Sequence, residues 1–370
     1  MRRRHFETLR PVCPVCRGAA PAPGSPLRLA HVIREADGHI LEGALNCTNA
    51  QCQREFPIID GIPLLIANLR QYVADNILSI CGRNDLSEFT ESLLGDCCGP
   101  NSSYEVTRQH ISSYAWDHYG DLDPAEAQSF PPPGSMRHCL LRGLELVSDN
   151  EQATSGKIGG PILDAGCSVG RGTFTLAEQT GELVLGVDMH FPMLRLAASI
   201  LRTGIARYPL RKVGMVYDRR EFPARFQHSE NVDFWACDVA ALPFAAGTFA
   251  AATALNVLDC VAAPRDLLVS LGNVISSGGH ALLSCPYDWS TAATPVETWL
   301  GGHSQRTEIR GSSAELLRLL LRPGAHPASV TTLQLEKEID SLPWSVRLHD
   351  RSVMTYKTHV VLARRLPEGK

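Results

Sequence analysis

Five short apolar runs punctuate the second half of the chain: GPILDAG, ELVLGVDM, VDFWACDV, FAAATALNVL and GGHALLSCPY. They are mostly not alternating, as expected of parallel strands buried on both faces. Between them lie TFTLAEQTG, FPMLRLAASILRTG and PRDLLVSLGNVI, which read as helices. Strands and helices taking turns in this way restrict the fold to a doubly wound α/β sheet. SVTTLQLEKEI and THVVLARR supply two closing strands, so residues 136–370 are expected to form a mostly parallel seven-stranded sheet. SFPPPGS at 129–135 is a break, because consecutive prolines stop helices and lack amide donors. Residues 69–135 before it read as a helical, polar linker and lid, and residues 1–68 as a small domain with four spaced cysteines.

The net charge of -4 and the absence of a basic stripe beyond MRRR argue against a nucleic-acid substrate. No window approaches the roughly 18 apolar residues of a membrane span. No apolar segment follows the first arginines, so a secretory signal is not expected. With twelve cysteines, these features imply a reducing cytoplasm, where cysteines serve as metal ligands or small hydrophobes.

The loop ILDAGCSVGRGTF decides the cofactor. A dinucleotide fingerprint needs glycines at 166, 168 and 171, and the chain has Gly166, Ser168 and Arg171. The G-K-[ST] ending of a phosphate loop is absent too. The spacing present is D-x-G-x-x-x-G, with Asp164, Gly166 and Gly170. It resembles the first motif of class I S-adenosylmethionine (SAM) methyltransferases. SAM has no phosphates, so a serine at 168 is compatible with it. Gly166 lets the backbone approach the cofactor closely, and Asp164 is expected to face its ammonium group. Asp188, beside Met189, ends the second strand, where a carboxylate can accept both ribose hydroxyls. Asp238 ends the third strand and suits the adenine amino group, with Val239 or Ala240 packing the ring. Asn256 ends the fourth. Each alone reads equally well as a loop residue or helix cap; four in order at carboxyl strand ends define a cofactor crevice.

CPYDWSTAATPVETWLGGH, 285–303, follows the fifth strand. Tyr287, Trp289 and Trp299 form the wall of a small-molecule pocket or plug the core under a long loop. His303 reads as a surface histidine. In YAWDHYGD, Tyr114, Trp116 and Tyr119 belong to a lid helix or pack it to the core. The blocks LDAGCSVGRGTFTLA, GVDMHFPMLRLAA, PYDWSTAATPVETWLGG and LPWSVRLHDRSVMTYKTHVVLARR resemble the methyltransferase module of ovothiol-synthesising enzymes, a 4-mercaptohistidine N-methyltransferase. The resemblance spans about 136–370. It implies a small histidine-like acceptor methylated on an imidazole nitrogen; the sulfoxide-synthase part of those enzymes is missing. Candidate acceptor contacts are Tyr287, Asp288, Tyr356 and Arg347. Arg347 either grips a carboxylate bidentately or sits on a strand surface.

Cys13 and Cys16 in CPVC, and Cys47 and Cys52 in CTNAQC, are two pairs separated by 30 residues. They suit a structural, tetrahedral zinc site of four thiolates in a ribbon of short strands. The adjacent Cys97 and Cys98 have no ligand spacing. CQREFPIIDGIPLLI resembles the end of the zinc-ribbon activator subunit of tRNA and protein methyltransferases, which implies a ribbon fused to its own catalytic domain. The function expected is SAM-dependent methylation of a small imidazole metabolite. An RNA or protein methyltransferase guided by the ribbon is the alternative, and a SAM-binding scaffold without turnover a third.

Overall fold

The computed structural model describes residues 1–18, 24–148 and 158–367. The elements, in order, are α1 (Arg3–Leu9), α2 (Pro14–Arg17), β1 (Leu27–Ala36), β2 (His39–Cys47), β3 (Glu55–Ile59) and β4 (Ile62–Leu65). Then come α3 (Leu69–Cys81), α4 (Glu88–Cys98), α5 (Ser103–Tyr119), α6 (Ser135–Ser148), β5 (Ile162–Ala165), α7 (Arg171–Thr180), β6 (Val184–Asp188) and α8 (Phe191–Thr203). The chain continues through β7 (Ile205–Val213), β8 (Val216–Pro223), β9 (Val232–Cys237), β10 (Phe249–Leu255), α9 (Pro264–Val274), β11 (Ile275–Cys285), α10 (Ser313–Leu320), β12 (Leu333–His349) and β13 (Ser352–Arg365).

The five apolar runs are β5, β6, β9, β10 and β11, hydrogen-bonded in parallel in the order β9-β6-β5-β10-β11. The antiparallel β13 and β12 follow. Strand order reverses between β5 and β10, which opens a crevice at their carboxyl ends. Side chains alternate between two cores. Leu163, Leu185 and Leu283 join α9 and α10 on one face, while Ile162, Phe234 and Leu282 join α6, α7 and α8 on the other. Helix α8 is closed at its end by Gly204 at φ +67°, a left-handed cap without Cβ strain.

One expectation needs correction. The sheet has eleven strands rather than seven, because the cysteine-bearing region does not stand apart. Its antiparallel β1-β2-β3-β4 meander continues into the larger sheet, where β4 pairs in parallel with β9, Leu64 opposite Ala236 and Leu65 opposite Cys237. Without β4, the edge of β9 would expose a row of unpaired amides and carbonyls. All four residues of β4 are buried, as a covered, two-sided strand requires.

The β7-β8 hairpin is an addition to the expected elements, a separate two-stranded sheet turned by Gly214. Its alternating, charge-rich sequence lacks the continuous apolar run that marks the other strands. Its polar groups clamp the lid: Arg220 pairs with Asp123 at 2.6 Å, Arg219 with Glu91 at 2.5 Å, and the Tyr217 hydroxyl donates to Glu105 at 2.7 Å.

Candidate active site at the strand ends

The loop between β5 and α7 turns through three left-handed residues, Gly166 at φ +73°, Ser168 at +52° and Gly170 at +92°. Only glycine fits at 166, where an added Cβ would lie 2.3 Å from Val257. The Gly166 and Cys167 amides donate to the Val187 carbonyl at 2.8 and 3.0 Å, which ties the loop to β6. Ser168 does not spoil it. Left-handed backbone costs a non-glycine residue little when local bonds hold it. Here the Ser168 amide donates to Asp188 Oδ2 at 2.9 Å, and its hydroxyl to Met193 Sδ at 3.2 Å.

Asp164 is buried, and its oxygens accept from Thr173 at 2.8 Å and Thr253 at 2.8 Å. Burial raises its pKa, against those hydroxyls. Barely exposed, it braces β5, α7 and β10 under the loop.

Asp188 sits at the end of β6 with each oxygen fixed, one by Ser168 and one by the His190 amide at 2.8 Å. A carboxylate has about four acceptor positions, so two remain for a diol. Beside it Met189 is 42% exposed, and its carbonyl accepts from the Tyr72 hydroxyl of α3 at 2.7 Å. Asp238 caps the turn after β9 through Oδ1, accepting from the Ala240 amide at 2.9 Å, which leaves Oδ2. Val239 is buried in the core, so the apolar surface offered there is Met189 and the half-buried Ala240. Asn256 takes a left-handed turn at φ +54°, and its side-chain oxygen accepts from the Ser284 hydroxyl at 2.9 Å, joining the ends of β10 and β11.

Across the crevice, the four expected acceptor contacts separate. Asp288 and Tyr356 meet: the Tyr356 hydroxyl donates to Asp288 Oδ2 at 3.0 Å. The Asp288 amide donates to buried Asp259 at 2.7 Å, whose pKa burial raises. Tyr287 instead shares a 2.6 Å bond with His359 Nδ1, and His359 Nε2 lies 3.0 Å from Glu338, which Arg318 of α10 also binds. His359 and Tyr356 are three residues apart on β13 and so point to opposite faces, which places the Tyr287 hydroxyl away from Tyr356. Arg347 also stands apart from Tyr356. In the pairing Trp344 opposite Tyr356 and Arg347 opposite Val353, it occupies the other face of the β12-β13 hairpin, where it binds Asp350. These separations could not be read locally, because they depend on strand register.

The aromatic loop resolves toward packing. The Trp289 and Trp299 rings stack at 6.0 Å, and their indole N–H groups donate to Ser313 and to the Thr294 carbonyl. On α5, Trp116 and Tyr119 are buried, the Tyr119 hydroxyl donating to the Val169 carbonyl of the glycine loop at 2.6 Å. Tyr114 alone stays open, 39% exposed, with its phenol pushed up by crowding and by nearby Cys260, Asp188 and Asp259. His303 is exposed, as expected. Asp259, Cys260, Tyr72 and His359 were not singled out from sequence; the DC after NVL, at the end of the fourth strand, was the available signal for the first two.

Cys13, Cys16, Cys47 and Cys52 converge, all four sulfurs within 4.8 Å of one another. The Cys13–Cys52 and Cys16–Cys47 separations are 3.9 and 3.6 Å. Tetrahedral zinc with Zn–S bonds of about 2.3 Å requires sulfurs about 3.8 Å apart, so the four thiols fit the ion. The Asn49 amide donates to Cys47 Sγ at 3.4 Å and its side chain to Cys16 Sγ at 3.7 Å, as outer-shell donors to thiolates do.

A methyltransferase-domain family model matches residues 163–283, and a Trm112p-like protein family model matches residues 5–61. Among solved structures, a SAM-dependent methyltransferase from Methanosarcina mazei is similar at 18% identity and TM-score 0.36, over 56% of this chain and 93% of that one. The complex of the Haloferax volcanii Trm112 methyltransferase activator with its candidate methyltransferase is similar at 11% identity and TM-score 0.37, over 63% and 89%. The Bacillus subtilis YcgJ protein is similar at 13% identity and TM-score 0.38, over 62% and 99%. No protein of curated function matches the chain. The chain thus carries a class I, SAM-dependent methyltransferase domain. In front of it lies a Trm112-like domain whose four clustered cysteines suit zinc. No helix among the described residues is long and apolar enough to cross a membrane.

Proposed function

We propose that the protein transfers a methyl group from SAM to a nitrogen of a small, histidine-like imidazole metabolite, in the cytoplasm, with zinc as a structural ion in the ribbon. One observation supports this reading: on the side of the crevice away from the glycine loop, the Tyr356 hydroxyl of β13 fixes the Asp288 carboxylate at 3.0 Å. Such a fixed pair suits one small ring. When bound, SAM supplies an electrophilic methyl on a sulfonium. The glycine loop, Asp188, Met189 and Asp238 would hold it. The remaining work is orientation and exclusion of water, which together supply roughly 7–11 kcal/mol. Asp288, fixed by Tyr356, would accept the acceptor's N–H and so fix the imidazole tautomer.

The Trm112-like domain favours a second reading, an RNA or protein acceptor. Against a polynucleotide stands the charge on β7-β8: Arg207, Lys212, Arg219 and Arg220 are each paired to a carboxylate, and Arg211 donates to the Gly214 carbonyl. The two readings part in one assay. The protein with labelled SAM is offered histidine and thiol-histidines in one arm and bulk tRNA in the other. Label on an imidazole supports the first reading; label only on tRNA replaces it with the second.

A further inference from the structure

Asn256 stands where strand order reverses. In the pairing of β10 with β5, Thr253 lies opposite Asp164, so Asn256 and the glycine turn leave the sheet side by side. The next residue, Val257, packs directly on Gly166. On the other side of β10, Leu255 lies opposite Ser284 of β11. Asn256 is half-buried and held in one pose. Its backbone is left-handed at φ +54°, which asparagine tolerates better than most residues. Its amide donates to the Ser284 carbonyl at 2.9 Å and to the Ser284 hydroxyl at 3.1 Å. That hydroxyl has one proton to give, and gives it to Asn256 Oδ1 at 2.9 Å. Ser284 is buried, so water does not compete for the proton. With the side-chain oxygen engaged, the Nδ2 amino group is turned out, and among the described residues it donates to no protein atom.

A donor is what this end of the crevice otherwise lacks. The amides of the glycine turn are engaged: Gly166 and Cys167 donate to Val187, Ser168 to Asp188, and Gly170 to the Cys167 carbonyl. Asp188 and Asp238 bring acceptors, and Met189 brings apolar surface. The amino-acid end of SAM carries an ammonium, which is a donor, and a carboxylate, which only accepts. An outward N–H beside the glycine turn suits the carboxylate and repels the ammonium. We infer that Asn256 Nδ2 donates to the carboxylate of SAM, and that Ser284 is a positioning residue that fixes the direction of the Asn256 amide. This inference rests on the SAM reading of the crevice and adds the group that reads the charged tail of the cofactor.

Two ligands that differ in that one group test it: SAM, and decarboxylated SAM, which keeps the adenosine, the sulfonium and the ammonium. The full-length protein and two variants are titrated calorimetrically with each, with the melting temperature as the check on folding. The intact protein is expected to bind SAM at least roughly tenfold more tightly than decarboxylated SAM, the value of one hydrogen bond to a charged group. Asn256→Asp keeps the shape and tolerates the left-handed turn, but sets one carboxylate against another. It should weaken SAM by at least roughly 30-fold and leave decarboxylated SAM unchanged or tighter. Ser284→Ala frees the amide to turn; it should weaken SAM about threefold and leave decarboxylated SAM unmoved. A merely structural role would weaken both ligands together. Equal losses for the two ligands in either variant therefore overturn the inference, as does SAM binding that ignores Asn256→Asp. If Asn256→Asp fails to fold, the same split in Ser284→Ala decides. If the intact protein binds both ligands equally, the carboxylate assignment falls while the cofactor reading stands. If it binds neither, the cofactor reading falls with it.

Discussion

The two walls of the crevice are built on different principles. The wall proposed for the cofactor is local: a glycine turn, the carboxylate ending β6 and the one ending β9 each sit where one short sequence segment puts them. Backbone amides hold them, as when Ser168 and His190 fix Asp188. The wall proposed for the acceptor is assembled from distance: Asp259 after β10, Asp288 after β11 and Tyr356 from β13 meet only through the finished sheet. A wall fixed by backbone tolerates few substitutions. A wall of converging side chains can be altered one side chain at a time, which suits the part of an enzyme that selects substrates.

If that contrast is right, damage should respect the boundary between the walls. Stripping the metal, or Cys47→Ala, should have the largest effect, since structural zinc contributes on the order of 10 kcal/mol in small ribbons. The β1–β4 meander would melt, β9 would lose its β4 neighbour, and SAM binding would fail with it. Circular dichroism melts with and without chelator read this as a Tm drop above roughly 10 °C. Gly166→Ala comes next. Left-handed strain plus the clash with Val257 should cost about 3 kcal/mol, seen as a lower Tm and a loss of SAM affinity of about 100-fold.

Acid should loosen both flanks. His118, buried in α5 with its Nδ1 unpaired in the fold, is pushed down to about 3 by burial and Arg171, and His39 of β2 to about 4, chiefly by burial. Both folded values lie below the ordinary histidine value of about 6.5. The native state therefore binds fewer protons than the unfolded chain. Stability is complete above about pH 6.5 and falls as pH drops toward about 4, by about 2 kcal/mol per histidine at about pH 5. Tm measured across that window should fall, and His118→Phe should flatten the fall. Ser168→Gly should do least, changing SAM affinity by no more than about twofold, because relief of left-handed strain offsets the lost hydroxyl contact and the added chain entropy. A large effect there would mean that the serine side chain itself grips the cofactor.

The same contrast explains what could be read in advance. That Asp188, Asp238 and the glycine loop lie at strand ends could be read because strand ends and left-handed turns leave local signatures. The bonds of Asp164 could not be read, because its partners, Thr173 and Thr253, lie on other elements. That Tyr287 and Arg347 would stand apart from Tyr356 could not be read, because the faces of His359 and Arg347 follow from register, and one step of register reverses them. The cysteine spacing revealed the ribbon, but nothing local in PLLI announced that β4 would extend the larger sheet.

The most direct test of the account is calorimetric titration of the intact protein and of Asp188→Ala with SAM. The account predicts micromolar binding by the intact protein and a loss of at least roughly 30-fold in the variant, since the substitution removes the ribose acceptor and frees the Ser168 and His190 amides. Unchanged affinity in a variant with an unchanged melting temperature would contradict it, and would mean that the cofactor lies elsewhere than at the ends of β5, β6 and β9.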